Sequence, residues 1–249
     1  MPFHTVAYAE SQTNGTTIDV EPVPDDVILI QNGHFVFQES RQLLIAKTNI
    51  EDLTFCELVC PTFRQFSPIV PPVNDPNEES VIRAALVDYR QYPPTLPRLE
   101  EIQFNSTRAG AAALNSFAIL ACQLGGMERV PAGQVYTMRG TGTGTAVALR
   151  WTTIVTAWAN TLPTGRYAVC ALQVQSTTSV AARLIFENQQ DRPGVPSTTS
   201  FNTISHPALE VGGMGVFGRF DSWAMPQIQV LCEAADTAYD VRMSFVRVQ

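Results

Sequence analysis

The sequence predicts an all-β protein on three observations. Its apolar runs are short, rich in β-branched and aromatic residues, and bounded by clusters of Gly, Pro, Asn and Asp. Several alternate: Val241, Met243 and Phe245 fall on one side of an extended chain, Arg242, Ser244 and Val246 on the other. The second half also repeats the pattern of the first at a shift of 126 residues. Spacing of this kind points to sandwiches or barrels.

In the first half the strand-like runs are Val27–Ile30, His34–Phe37, Leu43–Ala46, Phe55–Cys60, Val81–Val87, Glu101–Phe104 and Leu114–Cys122. The second half offers Gln134–Met138, Ala148–Trp158, Tyr167–Val174, Val180–Phe186, Leu209–Val211, Gly215–Phe220, Gln227–Cys232 and Tyr239–Val248. The one place that also admits a helix is Glu78–Val87, after the proline-rich stretch Pro68–Pro76. Of the 17 prolines, 11 lie in the first half, concentrated at Pro61–Pro76 and Pro93–Pro97. Both stretches are expected to be loops or extended edges, because proline cannot donate to a ladder.

The repeat is the most informative feature. At a shift of 126, Leu43-Leu-Ile-Ala46 lies on Val169-Cys-Ala-Leu172, Leu58-Val59 on Leu184-Ile185, and Glu101-Ile-Gln-Phe104 on Gln227-Ile-Gln-Val230. Two residues further in offset, Ser116-Phe117 lies on Ser244-Phe245. The expectation is two similar β domains in tandem, 1–125 and 126–249, joined near Gly125-Gly126. The alternative is one sandwich whose strands resemble one another as strands do.

Charge excludes some partners. The formal net charge is -7, with 15 acidic and 7 basic residues in 1–125 against 8 and 9 in 126–249. Lys47 is the only lysine, and the 15 arginines form no run. Neutralising a phosphate backbone needs clustered Lys and Arg, so direct nucleic-acid binding is not expected. The start, Met1-Pro-Phe-His-Thr, does not resemble a signal peptide, and no apolar run reaches the ~18 residues of a membrane span.

Candidate chemistry is sparse. Cys56, Cys60, Cys122, Cys170 and Cys232 sit in apolar runs and read as small buried hydrophobes; His4, His34 and His206 are scattered. Gly140-Thr-Gly-Thr-Gly144 lacks the Gly-Lys-Ser/Thr ending of a phosphate loop and is expected to be a flexible hairpin. The pairs Asp25-Asp26, Glu78-Glu79 and Glu100-Glu101 point to opposite faces of an extended chain, which suits solvated loops or ion pairs rather than acid/base dyads. The patterns Asn14-Gly-Thr16 and Asn105-Ser-Thr107 mean little without secretion. No catalytic, cofactor-binding or metal residue is assigned and no cofactor expected; the protein is not expected to be an enzyme. Gly213-Met-Gly-Val-Phe-Gly-Arg-Phe220 reads either as a subunit-contact strand or as barrel core, its glycines marking a bulge or a close backbone approach.

Several stretches resemble the major capsid proteins of tailless, membrane-containing icosahedral phages and their relatives. In the first half they are Val59-Cys-Pro-Thr-Phe-Arg-Gln-Phe66, Ile69-Val-Pro-Pro72 and Leu96-Pro-Arg-Leu-Glu-Glu-Ile-Gln-Phe104. In the second they are Trp151-Thr-Thr-Ile-Val-Thr-Ala-Trp158, Leu162-Pro-Thr-Gly-Arg-Tyr-Ala-Val169, Ala182-Arg-Leu-Ile185, Arg192-Pro-Gly194, Gly213–Phe220 and Pro226–Cys232. The resemblance runs from about residue 43 onward. It implies a double jelly roll, two tandem eight-stranded barrels, in a virion shell assembled in the host cytoplasm. Its implied partners are further copies of itself, as a homotrimer and as neighbouring trimers, penton and minor capsid proteins, and an internal lipid membrane. The competing reading is a carbohydrate-binding jelly roll, a lectin or receptor-binding spike domain. That would need exposed Trp and Tyr near carboxylates, whereas Trp151, Trp158 and Trp223 sit in apolar runs and are expected to be buried. A cupin-type metalloenzyme would need clustered histidines.

Overall fold

A computed structural model describes residues 3–12, 17–48, 53–62, 86–108, 114–197 and 210–248. Every regular element among them is a strand. The chain divides into two compact units, one of Val6–Leu124 and one of Gly125–Gln249 joined by Met1–Thr5.

The Val6–Leu124 unit has two sheets. One holds β1 (Phe3–Gln12, from Val6 onward), β5 (Arg41–Thr48), β7 (Leu86–Asp88), β8 (Thr95–Leu96) and β10 (Leu114–Gln123), in the order β1-β10-β5-β7 with β8 also on β5. The other holds β2 (Thr17–Asp19), β3 (Leu29–Gln31), β4 (His34–Val36), β6 (Leu53–Val59) and β9 (Glu101–Arg108), in the order β2-β9-β4-β3 with β6 also on β9. Both sheets supply one apolar core: Leu43 and Leu120 from the first, Leu58 and Phe104 from the second. Tyr8 lies in it edge-on to Phe35, and its hydroxyl donates to the Ile102 carbonyl at 2.6 Å, so its burial leaves no polar group stranded. The β3–β4 hairpin turns on Asn32-Gly33, both at positive φ (51° and 81°), the mirror-image turn whose twist matches the strands it joins.

The Gly125–Gln249 unit contains β11 (Val135–Thr143), β12 (Trp151–Trp158), β13 (Arg166–Gln175), β14 (Ser179–Ile185), β15 (Gly194–Pro196), β16 (Gly218–Asp221), β17 (Gln227–Cys232) and β18 (Ala238–Arg247). They form one sheet, β15-β14-β17-β12-β11-β18-β13-β16, curled into a half-barrel. The pairing is nested: β11 with β18, β12 with β17, β13 with β16, β14 with β15, all antiparallel. A long hairpin wrapped around a core has this order. Tyr136, Tyr167, Phe220 and Phe245 pack ring against ring inside it, Tyr167 and Phe245 at 5.3 Å.

The shift of 126 survives as geometry in part of the chain. β6 and β14 begin and end 126 positions apart. The β5–β10 register skips Leu44 and the β13–β18 register skips Cys170, again 126 apart; the β6–β9 and β14–β17 registers skip Thr54 and Val180, also 126 apart. Bulges are local features that re-aim a strand, and two of them recurring at one offset is more specific than apolar similarity. The partner strands follow a different offset. Phe104 sits opposite Leu58 as Ile228 sits opposite Leu184, a shift of 124, and Cys122 opposite Leu43 as Phe245 opposite Val169, a shift of 123. The alignments of Glu101–Phe104 and Ser116-Phe117 expected above are therefore out of register.

Two further expectations are corrected, and one strand was missed. The part of the helix candidate Glu78–Val87 that is described is strand, with Leu86 and Val87 opposite Lys47 and Ala46; the remainder lies outside the described residues. Leu209–Val211 gives no strand over its described part, which turns through Glu210–Met214. β1 was not foreseen because every residue from Phe3 to Ala9 is buried, so no polar alternation marks it.

Candidate functional site

Most of the motifs singled out in the sequence serve the fold. Gly140–Thr143 is the end of β11, paired on both sides by β12 and β18, not a flexible hairpin. A Cβ on Gly142 would lie 2.6 Å from Ile154 Cδ1, and one on Gly140 2.8 Å from Thr156 Cγ2; the glycines make room for the neighbouring strand's side chains. The carboxylate pairs diverge. Asp25 accepts from the amides of Val27 and Ile28, Glu100 from the amide and hydroxyl of Thr62 (2.9 and 2.6 Å), and Glu101 from Asn32 Nδ2. Glu78-Glu79 and His206 lie outside the described residues. His34 Nε2 stands 3.5 Å from Asp19 and 3.2 Å from Gln103 Nε2, while His4 Nδ1 accepts from the Arg192 amide at 3.0 Å. Among the described residues no group of three His, Cys, Asp or Glu is placed to hold a metal ion.

All five cysteines are buried thiols, none in a disulfide. Burial pushes the thiols of Cys56 and Cys170 up to about 11. The folded state therefore keeps protons that the unfolded chain sheds near pH 9, and the stability this contributes is full below pH 9 and lost between 9 and 11. Ellman's reagent at pH 8 is expected to leave the native protein unlabelled and to titrate five thiols after unfolding. Rapid native labelling of Cys56 or Cys170 would contradict the burial argument.

A polar assembly holds the Phe3–Thr5 segment. Thr5 donates its amide to the Arg192 carbonyl and its hydroxyl to the Gly194 carbonyl, both at 3.0 Å. The buried Arg183 donates to the Thr5 carbonyl (3.2 Å) and to Gln229 Oε1 (2.8 Å), and its guanidinium lies 4.2 Å over the Trp151 ring. Phe3 packs edge-on against Phe217. This assembly is structural.

A groove of about 390 Å³ lies beside β16. Its floor depends on Gly218: a Cβ there would lie 2.6 Å from Gln189 Oε1 and 2.7 Å from Phe186 Cε2. Glycine lets the Phe186 ring and the Gln189 amide close against the strand, and Gln189 Nε2 donates to the Phe217 carbonyl at 3.1 Å. Gly215, at φ +70°, allows an equally close approach on the other side. A Cβ would lie 2.3 Å from the Glu128 carbonyl oxygen, which accepts from the Val216 amide at 3.0 Å. That contact brings the Glu128 side chain to Arg219, whose guanidinium donates to both carboxylate oxygens, the longer bond 3.3 Å. Arg166 lies opposite Asp221 in the β13–β16 register. After Asp221 the chain turns, closed by the Ala224 amide on the Asp221 carbonyl at 2.8 Å, and the turn carries Trp223 out to 75% exposure at the rim.

No family model, curated protein or solved structure matches the chain.

The groove corrects two expectations. Phe217 and Phe220 are core, but none of the three tryptophans is buried as expected: Trp151 and Trp158 are half-buried and Trp223 is exposed. Only part of Gly213–Phe220 is strand, and Gly215 and Gly218 do mark close approaches. The exposed indole beside carboxylates, which a carbohydrate-binding reading requires, is therefore present.

Proposed function

We propose that this chain is a coat subunit: a double jelly roll that assembles as trimers into an icosahedral shell, enclosing a lipid membrane and leaving the genome to other proteins. The observation that carries the reading is the nested pairing in the Gly125–Gln249 unit, first strand with last and so inward, the order a jelly roll requires. The Val6–Leu124 unit supports it with the same outer pair, β1 on β10, and with β5 on β7 and β8. Recurrence of two bulges at one offset supports descent of both units from one ancestral barrel.

The surface supports assembly. Val135, Val147 and Val155 are exposed on or beside β11 and β12, Val155 at 74%, and only 16% of residues are charged. Barrels of two sheets leave strand edges, which neighbouring subunits would cover. The purified chain is expected to show a trimeric mass by light scattering at physiological salt, and electron micrographs of concentrated protein or parent particles are expected to show shells. A monomer at all concentrations would count against the assignment. The same preparation is expected to retain no DNA or RNA in a gel shift, since the sequence holds a single lysine and no run of arginines to release counterions. Particles without lipid would remove the membrane alone.

A further inference from the structure

We propose that the groove beside Trp223 binds a neutral saccharide, stacking a sugar ring on the indole. The inference does not rest on the coat reading; it needs only the geometry of the Gly125–Gln249 unit. Four observations select the ligand class. The indole is exposed at the groove rim, whereas nearby Phe186, Phe217 and Phe220 are buried, so among the described residues the groove offers a single aromatic face rather than a cage. One face suits the flat C–H surface of a pyranose; a quaternary ammonium would call for several rings. The walls beyond it are hydrogen-bonding groups: the Glu128–Arg219 pair, Arg166 and Asp221, and the Asn188 and Gln189 amides. A wall of this kind is poor for an apolar ligand and well suited to vicinal hydroxyls, each both donor and acceptor.

Charge then separates neutral sugars from acidic ones. Three carboxylates (Glu128, Glu187, Asp221) face two guanidinia (Arg166, Arg219), and the fork of Arg219 is already held by Glu128. An anionic ligand would have to break that bidentate pair against an excess of negative charge. A neutral ligand can use the outward lone pairs and N–H groups of the pair as they stand. The pair is also fixed in advance by Gly215 and the Val216 amide, so little ordering is left for binding. The volume, about 390 Å³, is that of a small-ligand cleft.

The test uses the purified full chain on an array of neutral oligosaccharides built from glucose, mannose, galactose and N-acetylglucosamine, with sialylated and sulfated glycans alongside. The best neutral disaccharide is then titrated by intrinsic fluorescence. Binding to at least one neutral class is expected. Trp223→Ala is expected to lose about tenfold or more in affinity, Trp223→Phe to keep part of it, and Trp158→Phe to leave it unchanged. Because Trp223 is exposed, its variants should melt as the parent does, which separates lost binding from lost folding. The proposal is overturned by silence across the neutral glycans, by binding confined to charged ones, or by affinity that survives Trp223→Ala. It is equally overturned if Trp223 becomes protected from N-bromosuccinimide by raising protein concentration alone, because a second copy would then fill the groove.

Discussion

Phe245→Ala is expected to destabilise the Gly125–Gln249 unit by about 3–5 kcal/mol, the range for removing a fully buried ring. Phe245 is 0% exposed. It lies on β18, which is paired on one side by β11 and on the other by β13, and its ring meets Tyr136, Tyr167 and Phe220. Removing it opens a cavity that three rings anchored on three other strands cannot close together, since each is held by its own strand register. Phe245→Leu keeps most of the volume and is expected to cost about 1–2 kcal/mol. Urea unfolding followed by near-ultraviolet circular dichroism reads both, because the tyrosines in the cluster give the signal. A loss below 1 kcal/mol for alanine would mean that the ring cluster is not packed as described.

Arg183→Ala should cost about 3 kcal/mol, for a different reason. The side chain is 1% exposed, and its fork serves two acceptors on separate segments, the Thr5 carbonyl and Gln229 Oε1, while its plane covers Trp151. Truncation leaves both acceptors without this donor and takes away the cover on the indole. Arg183→Lys keeps the charge but offers a single ammonium in place of a planar fork, so it is expected to recover less than half of the loss. Hydrogen exchange at the Thr5 and Gly194 amides reports the local part of the effect; unchanged protection in Arg183→Ala would rule out the tie to the first residues.

Alternation made β18 readable in the sequence, and seven of the eight strands of the Gly125–Gln249 unit overlap the apolar runs that predict them; β15 (Gly194–Pro196) had none. β1 was hidden because burial on every residue from Phe3 to Ala9 erases the pattern that alternation needs. Asn32-Gly33, flanked by Ile30 and Phe35, was a turn signal open to reading, and it marks the β3–β4 hairpin. The internal repeat was in register for β5 with β13 and β6 with β14, where the bulges coincide, and out of register for β9 with β17 and β10 with β18, where equivalent paired positions lie 124 and 123 apart; β9 is two residues longer than β17. The groove was not legible. Glu128 reaches Arg219 across 91 positions, and Trp223 differs from the buried Phe220 only because the strand ends at Asp221 and the chain turns. Local hydrophobicity cannot distinguish the last residue of a strand from the first residue of an exposed turn.

The hydroxyl of Thr5 bonds Gly194 across 189 positions of sequence. During synthesis Thr5 emerges before the Val6–Leu124 unit, and the groups that receive it, Arg183, Arg192 and Gly194, emerge after that unit has been made. One unit can fold as it is translated, while the other must wait for its Phe3–Thr5 segment to be captured from a distance. Closing so long a loop is slow, because its entropy is lost before any contact rewards it. The rate-limiting step of folding should therefore be this late docking, and a nascent chain arrested before residue 183 should leave Phe3–Thr5 accessible to protease.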